Sequence, residues 1–330
     1  MSTLKFKDIY IESYGCSAGP LEGEGPLSKD IDFICNDIYF DEKSYEKAER
    51  MFTKKAIDVA LRRNNIKMDD IKLVIGSDLM NQLSTSNYIA PILDSPFFAV
   101  YGACSNCALS IGIACKFISK DFNKILAFTS SHNCTAERQF RYPNEYGVQK
   151  KCTTTFTVTG AGAFVISKNK SDIKVSSFTI GKVIDFDFKD ANNMGVAMAP
   201  AAFDTIKRHL SYNTESFNDY DLVITGDLSK LGIEFLKDLL TIEGIDYEGK
   251  LDDCGLKIYD IENQDVFCGG SGCGCSAVVS CAYIFKEMKK SNLNRVLLVS
   301  TGALLSPVAV QQKESIPCVA HAICFERSSS

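Results

Sequence analysis

Histidine is scarce in this chain: only three occur among 330 residues, so imidazole-based proton handling has few places to reside. A positive excess is also missing. With 36 basic against 41 acidic side chains, the formal charge of -5 argues against a general nucleic-acid binder, which needs clustered Lys and Arg to neutralise phosphates. No basic segment followed by an apolar core opens the sequence, so Sec-type secretion is not expected, and the chain reads as made in the cytoplasm. Clean apolar spans are lacking too. Residues 95–115 and 266–285 carry no charged side chain and approach membrane-spanning length, but Gly, Ser and small polar groups break both. They read instead as a buried strand, a tight turn and a buried helix. With 45% hydrophobic and 23% charged residues, global disorder is excluded.

Cysteine, in contrast, is abundant, with fourteen residues. In so long a chain with a core of its own, reduced thiols fit better than a disulfide framework. Cys115, Cys281 and Cys324 lie inside apolar runs, where a thiol acts as a small hydrophobe. Cys-x-x-Cys at 104–107 and Cys-x-Cys at 273–275 would hold zinc only if four thiolates converged, and both sit at apolar helix starts; no metal site is expected. GGSGCG does not open a strand–helix–strand unit with an acidic residue about 20 positions on, so it reads as a tight turn before a helix, and no cofactor is implied.

The organising signal is an internal repeat. DIKLVIGSDL at 70–79 aligns without a gap to DYDLVITGDL at 219–228, NKILAFTSS at 123–131 to NRVLLVSTG at 294–302, and TGAGAFVIS at 159–167 to CVAHAICFE at 318–326. The two uncharged stretches fall at matching places between them. This predicts two halves, 1–170 and 171–330, with the polar SKNKSD at 167–172 as the joint. Continuous apolar strands such as VLLV at 296–299 suggest a mixed sheet covered on both faces. In the helix SYEKAERMFTKKAIDVALRRNN, Tyr45, Ala48, Phe52, Ala56 and Val59 form the inward face.

Duplicated halves with a Cys at a strand-to-helix turn, here YGACSNCALSIG, resemble the thiolase fold: α/β, five-layered αβαβα, with halves related by a pseudo-twofold axis. AERMFTKKAIDVAL, SSHNCTAERQFRYPNEYG, MAPAAFDTIK and TGALLSPVAVQQKESIP narrow the likeness: the chain resembles the stage V sporulation protein AD family over nearly its whole length. That resemblance implies binding of dipicolinic acid (pyridine-2,6-dicarboxylate), free or as its calcium chelate, during uptake into the developing spore. It also implies a peripheral place at the spore inner membrane beside other stage V A-operon proteins. For this fold a homodimer is expected, through the third strand of the first half.

The thiolase likeness puts Cys104 in the nucleophile position. Ketoacyl synthase III-like enzymes carry a His just after the strand corresponding to LVITGDLS and an Asn in the turn corresponding to GGSGCGC. Here those places hold Gly226 and Asp227, and Ser271, Gly272 and Cys273. A carboxylate where an oxyanion needs support has the wrong sign, so acyl condensation looks lost. A flat dianion would need Arg forks, N–H donors and apolar walls. The candidates are Cys104, Ser105, His132, Asn133, Arg138, Arg141, Tyr142, Asp227 and Ser271, with Arg138 and Arg141 able to share a helical face or only to pin the adjacent loop. Being duplicated, Asp78 and Asp227 read first as turn-forming residues. His209 reads as surface helix and His321 as core. The competing reading is an acyltransferase using Cys104; a third is a structural subunit of a membrane complex.

Overall fold

A computed structural model describes residues 2–141 and 150–328 of the protein. Its strands in chain order are β1 (Thr3–Lys5), β2 (Tyr10–Ala18), β3 (Leu73–Asp78), β4 (Phe97–Ala99), β5 (Lys124–Ser131), β6 (Phe156–Thr157), β7 (Gly160–Ser167), β8 (Ile173–Thr179), β9 (Leu222–Thr225), β10 (Leu251–Asp253), β11 (Gly270–Ser271), β12 (Arg295–Ala303) and β13 (Cys318–Arg327). The main sheet runs β10-β9-β12-β13-β8-β2-β7-β5-β3-β4, with β1 alongside β8. From the centre outward the first five strands are β2, β7, β5, β3, β4 and the second five are β8, β13, β12, β9, β10. Each set follows the same chain-order pattern: first, fifth, fourth, second, third. Directions repeat as well, since β3 is parallel to β5 and β5 antiparallel to β7, as β9 is to β12 and β12 to β13. The aligned sequence blocks fall on β3 and β9, β5 and β12, β7 and β13. The α/β thiolase-like architecture is therefore the one present.

The helices are α1 (Tyr45–Arg63), α2 (Ser84–Leu93), α3 (Asn106–Phe117), α4 (Asn133–Phe140), α5 (Met194–Asn213), α6 (Ser229–Ile242), α7 (Cys254–Lys257) and α8 (Cys273–Val279). α1 covers β2 and β7 on one outside, α5 covers β12 and β13 on the other, and α3 with α8 fills the space between. α3 has one charged residue, Lys116, at its far end, and α8 has none; helices apolar all round can be enclosed by sheet on both sides. That is what the two uncharged stretches encode, and among the described residues no helix is long and apolar enough to cross a membrane.

α1 is rotated slightly from its expected face. Its buried stripe is Ala48, Glu49, Phe52, Thr53, Ala56, Ile57, Ala60 and Leu61, while Tyr45 and Val59 are only partly covered. A carboxyl at position 49 therefore enters the interior. His209 is a second departure: it is fully buried, not on the surface, with Nδ1 against Thr179 Oγ1 at 2.7 Å and Nε2 against the Tyr220 hydroxyl at 2.9 Å. The neighbouring Lys207 and Arg208 make KRHL look exposed, yet position 209 continues the inward stripe of Ala202, Thr205 and Ile206. His321 lies in the core, as expected.

The central layer leaves no slack. A Cβ at Gly112 of α3 would come within 2.4 Å of the buried Phe178 ring on β8. Gly112→Val is expected to destabilise the protein by about 1–3 kcal/mol through overpacking, read as a lower urea midpoint at unchanged slope.

Candidate functional site

The site lies where strand ends of both halves meet the start of α3. After β4 the chain makes a tight turn at Ala103–Ser105, and Ala103 is held at φ +52, a left-handed conformation that costs a non-glycine residue free energy. Asn106 fixes this elbow: its Oδ1 accepts from Gly102 N–H at 2.6 Å and its Nδ2 donates to Asp78 O at 3.0 Å. Gly302, near the end of β12, presses on it from the other half; a Cβ there would stand 2.2 Å from Gly102 O. The elbow presents Cys104, half-buried, to a cavity of about 30 Å³.

Asp227 and Ser271 enter this cavity from the second half, Arg141 from the end of α4, and the walls are mostly apolar, including Leu79, Tyr101, Phe140, Met194, Met198 and Leu305. Asp227 is tightly held. Oδ2 accepts from Gly272 N–H at 2.9 Å and Oδ1 from the Thr301 hydroxyl at 2.6 Å, and Cys104 lines the same cavity. Burial pushes the Asp227 carboxyl up to about 6 despite these donors. Gly272 sits at φ +95, where a side chain would strain the turn.

Arg141 is almost entirely buried. Nη1 donates to Glu137 Oε1 at 2.6 Å and to Thr155 O at 2.9 Å, Nη2 reaches Thr155 Oγ1 at 3.4 Å, and Nε–H has no partner among the described residues. Lys150 stands 3.5 Å from the other Glu137 oxygen. Arg141 does not share a helical face with Arg138, because α4 ends at Phe140 and the Arg141 backbone leaves the helix.

Cys104, Arg141, Asp227 and Ser271 are thus brought together, and the other candidates stand elsewhere. Ser105 Oγ bonds back to Gly102 O at 2.6 Å inside the elbow. His132 caps α4, its Nδ1 accepting from Cys134 N–H and its Nε2 bonded to Ile38 O at 2.9 Å, against the rings of Tyr45 and Phe52. Asn133 bonds Thr159 and Thr157, and Arg138 pairs with Glu46 of α1 at the surface. Tyr142 lies outside the described residues.

The duplicated aspartates have parted. Asp78 is a turn residue, accepting from Met80 N–H at 2.8 Å and from Ser86 N–H and Oγ–H at 2.7 and 2.6 Å. In the second half that work falls to Asp253, which accepts from Leu228, Ser229 and Gly255 N–H, each at 2.9 Å, and from the Thr225 hydroxyl. Asp227 is thereby free to face the cavity. Sequence reasoning missed Asp253, although the acidic pair in LDDCG marks it, and missed Met194 and Met198, whose i, i+4 spacing puts both on one helical face.

No imidazole lines the cavity. All three histidines are buried and hydrogen-bonded elsewhere, and burial lowers each to about 4, so they are neutral near pH 7. The Cys104 thiol is itself raised well above its ordinary value, by burial first and by the adjacent Asp227 second. The elbow at the start of α3 works the other way, a helix-end effect of about 0.3–2 kcal/mol. Two like charges about 4 Å apart near a protein surface repel by roughly 4 kcal/mol. The carboxylate wins, and the sulfur stays a thiol.

An elbow cysteine above α3, between duplicated halves, defines a thiolase-like protein built like the condensing enzymes. The fold matches 3-oxoacyl-[acyl-carrier-protein] synthase III from Aquifex aeolicus at a TM-score of 0.61, with 14% identity over 96% of this chain and 99% of that one. Cerulenin-bound OleA from Xanthomonas campestris also scores 0.61, at 14% identity over 97% of this chain and 99% of that one. Within that class, the model of the stage V sporulation protein AD (SpoVAD) family matches residues 1–326. Stage V sporulation protein AD of Bacillus subtilis is 50% identical over 321 residues, 97% of this chain and 95% of that protein. The chain belongs to the stage V sporulation protein AD family.

Carboxyls buried around the site hold protons at neutral pH. Burial raises Glu22 and Asp253 to about 7 and Glu49, near the Asp78 charge, to about 8. A carboxyl whose folded value lies above its unfolded one stabilises the fold at low pH and loses that contribution as pH climbs towards the folded value. The histidines act oppositely, but only below about 6.5. Between pH 6.5 and 8.5 the melting temperature is therefore expected to fall. Glu49→Gln, which stays neutral, should flatten that slope in a pH series of thermal melts.

Proposed function

We propose that this protein binds dipicolinic acid, free or as its calcium chelate, in the cavity at Cys104 and serves its uptake into the developing spore without acyl condensation. The observation that carries the reading is Arg141: a buried guanidinium whose Nε–H has no partner among the described residues, at the edge of the apolar cavity that Cys104 faces. A planar carboxylate needs a directional cation and flat apolar walls, and Tyr101, Phe140 and the methionines supply the walls. Ligand pockets are usually ~300–1,000 Å³, so entry requires wall side chains to move; Met194 and Met198 are the most adaptable of these. Acyl transfer is disfavoured because no imidazole is at hand and the thiol is held protonated.

Membrane location follows from the family likeness: a peripheral protein working through stage V A-operon membrane partners. A homodimer is proposed through β4, whose outer edge is unpaired among the described residues and is flanked by exposed Tyr88, Ile92, Tyr101 and Phe117. Tyr88→Asp with Ile92→Asp should then halve the mass seen by light scattering.

Titration calorimetry of dipicolinate, with and without calcium, tests the ligand. Arg141→Lys should weaken binding at least about tenfold, since an ammonium cannot replace a guanidinium fork. Unchanged affinity in a variant that melts normally would sink the assignment of Arg141. No heat from the wild type, together with turnover of acyl-CoA, would favour the acyltransferase reading.

A further inference from the structure

We propose that Asp227, a buried carboxylate sharing one small cavity with Cys104, keeps that cysteine a thiol and stops it acting as a nucleophile. This does not depend on which ligand the cavity takes. Cys104 retains what a reactive cysteine needs: a place at the turn feeding the twelve-residue α3, a strained residue before it and an opening into a cavity. Asp227 opposes this. Its buried carboxylate lines the same cavity and is held by neutral donors, Gly272 N–H at 2.9 Å and Thr301 Oγ–H at 2.6 Å. Arg141, the cation of the same cavity, is engaged by Glu137 and Thr155. Deprotonating Cys104 would set a second negative charge against Asp227 in the same cavity. The turn does not need Asp227 for its own stability, because Asp253 satisfies the backbone there. What Asp227 does instead is fix the sulfur's proton.

Among the described residues, the titratable groups around Cys104 are few. From the second half come Asp227 and Cys273, from the same segment Tyr101, and from the end of α4 Arg141 with its partner Glu137. Of these, Asp227 is the group whose charge most opposes a thiolate at Cys104.

The test is the pH profile of Cys104 modification in the native protein by methyl methanethiosulfonate, followed by mass spectrometry of the Cys104 peptide. The thiolate attacks the sulfenyl sulfur, a mixed disulfide forms, methanesulfinate leaves, and the thiol proton passes to buffer. Wild-type Cys104 should react slowly until well above pH 9. Asp227→Asn removes the charge but keeps an acceptor for Gly272 N–H, and Thr301 can rotate to accept from the new amide. It should speed modification at pH 7.5 about tenfold or more, equivalent to one unit or more in the thiol's pKa. Thr301→Val leaves the carboxylate in place and should stay slow, which separates charge from loosened packing. Equal profiles in wild type and Asp227→Asn overturn the proposal. So does a fast Thr301→Val, or a Cys104 inert in every protein. Should Asp227→Asn fail to fold, the wild-type profile still decides, because a midpoint near the ordinary cysteine value of about 8.5 overturns it.

Discussion

Everything in this molecule is arranged around two helices that have no face to give to water. α3 and α8 are enclosed by strands of both halves, so their interiors are limited to small and apolar residues, and polar groups are displaced to their first turns. Those turns carry Cys104 on one side and Gly272 on the other. Strand ends of the two halves converge there, and a cavity remains where the layers fail to close. The position of the site thus follows from burying a pair of uncharged helices. Its chemistry is decided by the few side chains that reach that gap.

Duplication made two similar strand ends, and the protein uses them differently. Asp78 is saturated by the backbone and hydroxyl donors of its own turn. Its counterpart Asp227 was released from that duty by Asp253, which binds the second turn and raises no demand on the cavity. One half keeps the aspartate as scaffold and the other as a site residue. The exchange leaves Asp78, Asp227 and Asp253 in the interior, each supplied with hydroxyl and N–H donors. This is how a fold with few histidines still contains groups that titrate near neutrality.

Much of the architecture was readable because repeated strands repeat their apolar pattern, and because an uncharged stretch too broken to span a membrane must be a buried element. The family likeness was readable from long strings such as TSSHNCTAERQFRYP. What could not be read was rotation. The buried stripe of α1 takes in Glu49, which hydropathy assigns to solvent, and it is tolerated because Ser130 and Thr135 donate to it. His209 was hidden by charged neighbours on a helix whose inward face it shares. At the site, the candidates Cys104, Arg141, Asp227 and Ser271 come together at one cavity. Ser105, His132, Asn133 and Arg138 were close in sequence to them but point into turns, a helix cap or the surface. Contacts between chain segments so far apart depend on where a helix stops, and α4 stops one residue before Arg141.

The close approach of Gly302 to the carbonyl of Gly102 has a mechanical meaning. The elbow's backbone is braced by the opposite half with no side chain between, while the β2–β8 pairing at Tyr10 and Lys174 and the shared α3 join the halves elsewhere. A hinge that swung the halves apart would break the elbow before it widened the cavity. Access is left to rotamer changes in the rim formed by α4 and α5. Exchange with solvent should then be governed by side-chain gating on fast timescales, with the framework behaving as a rigid body.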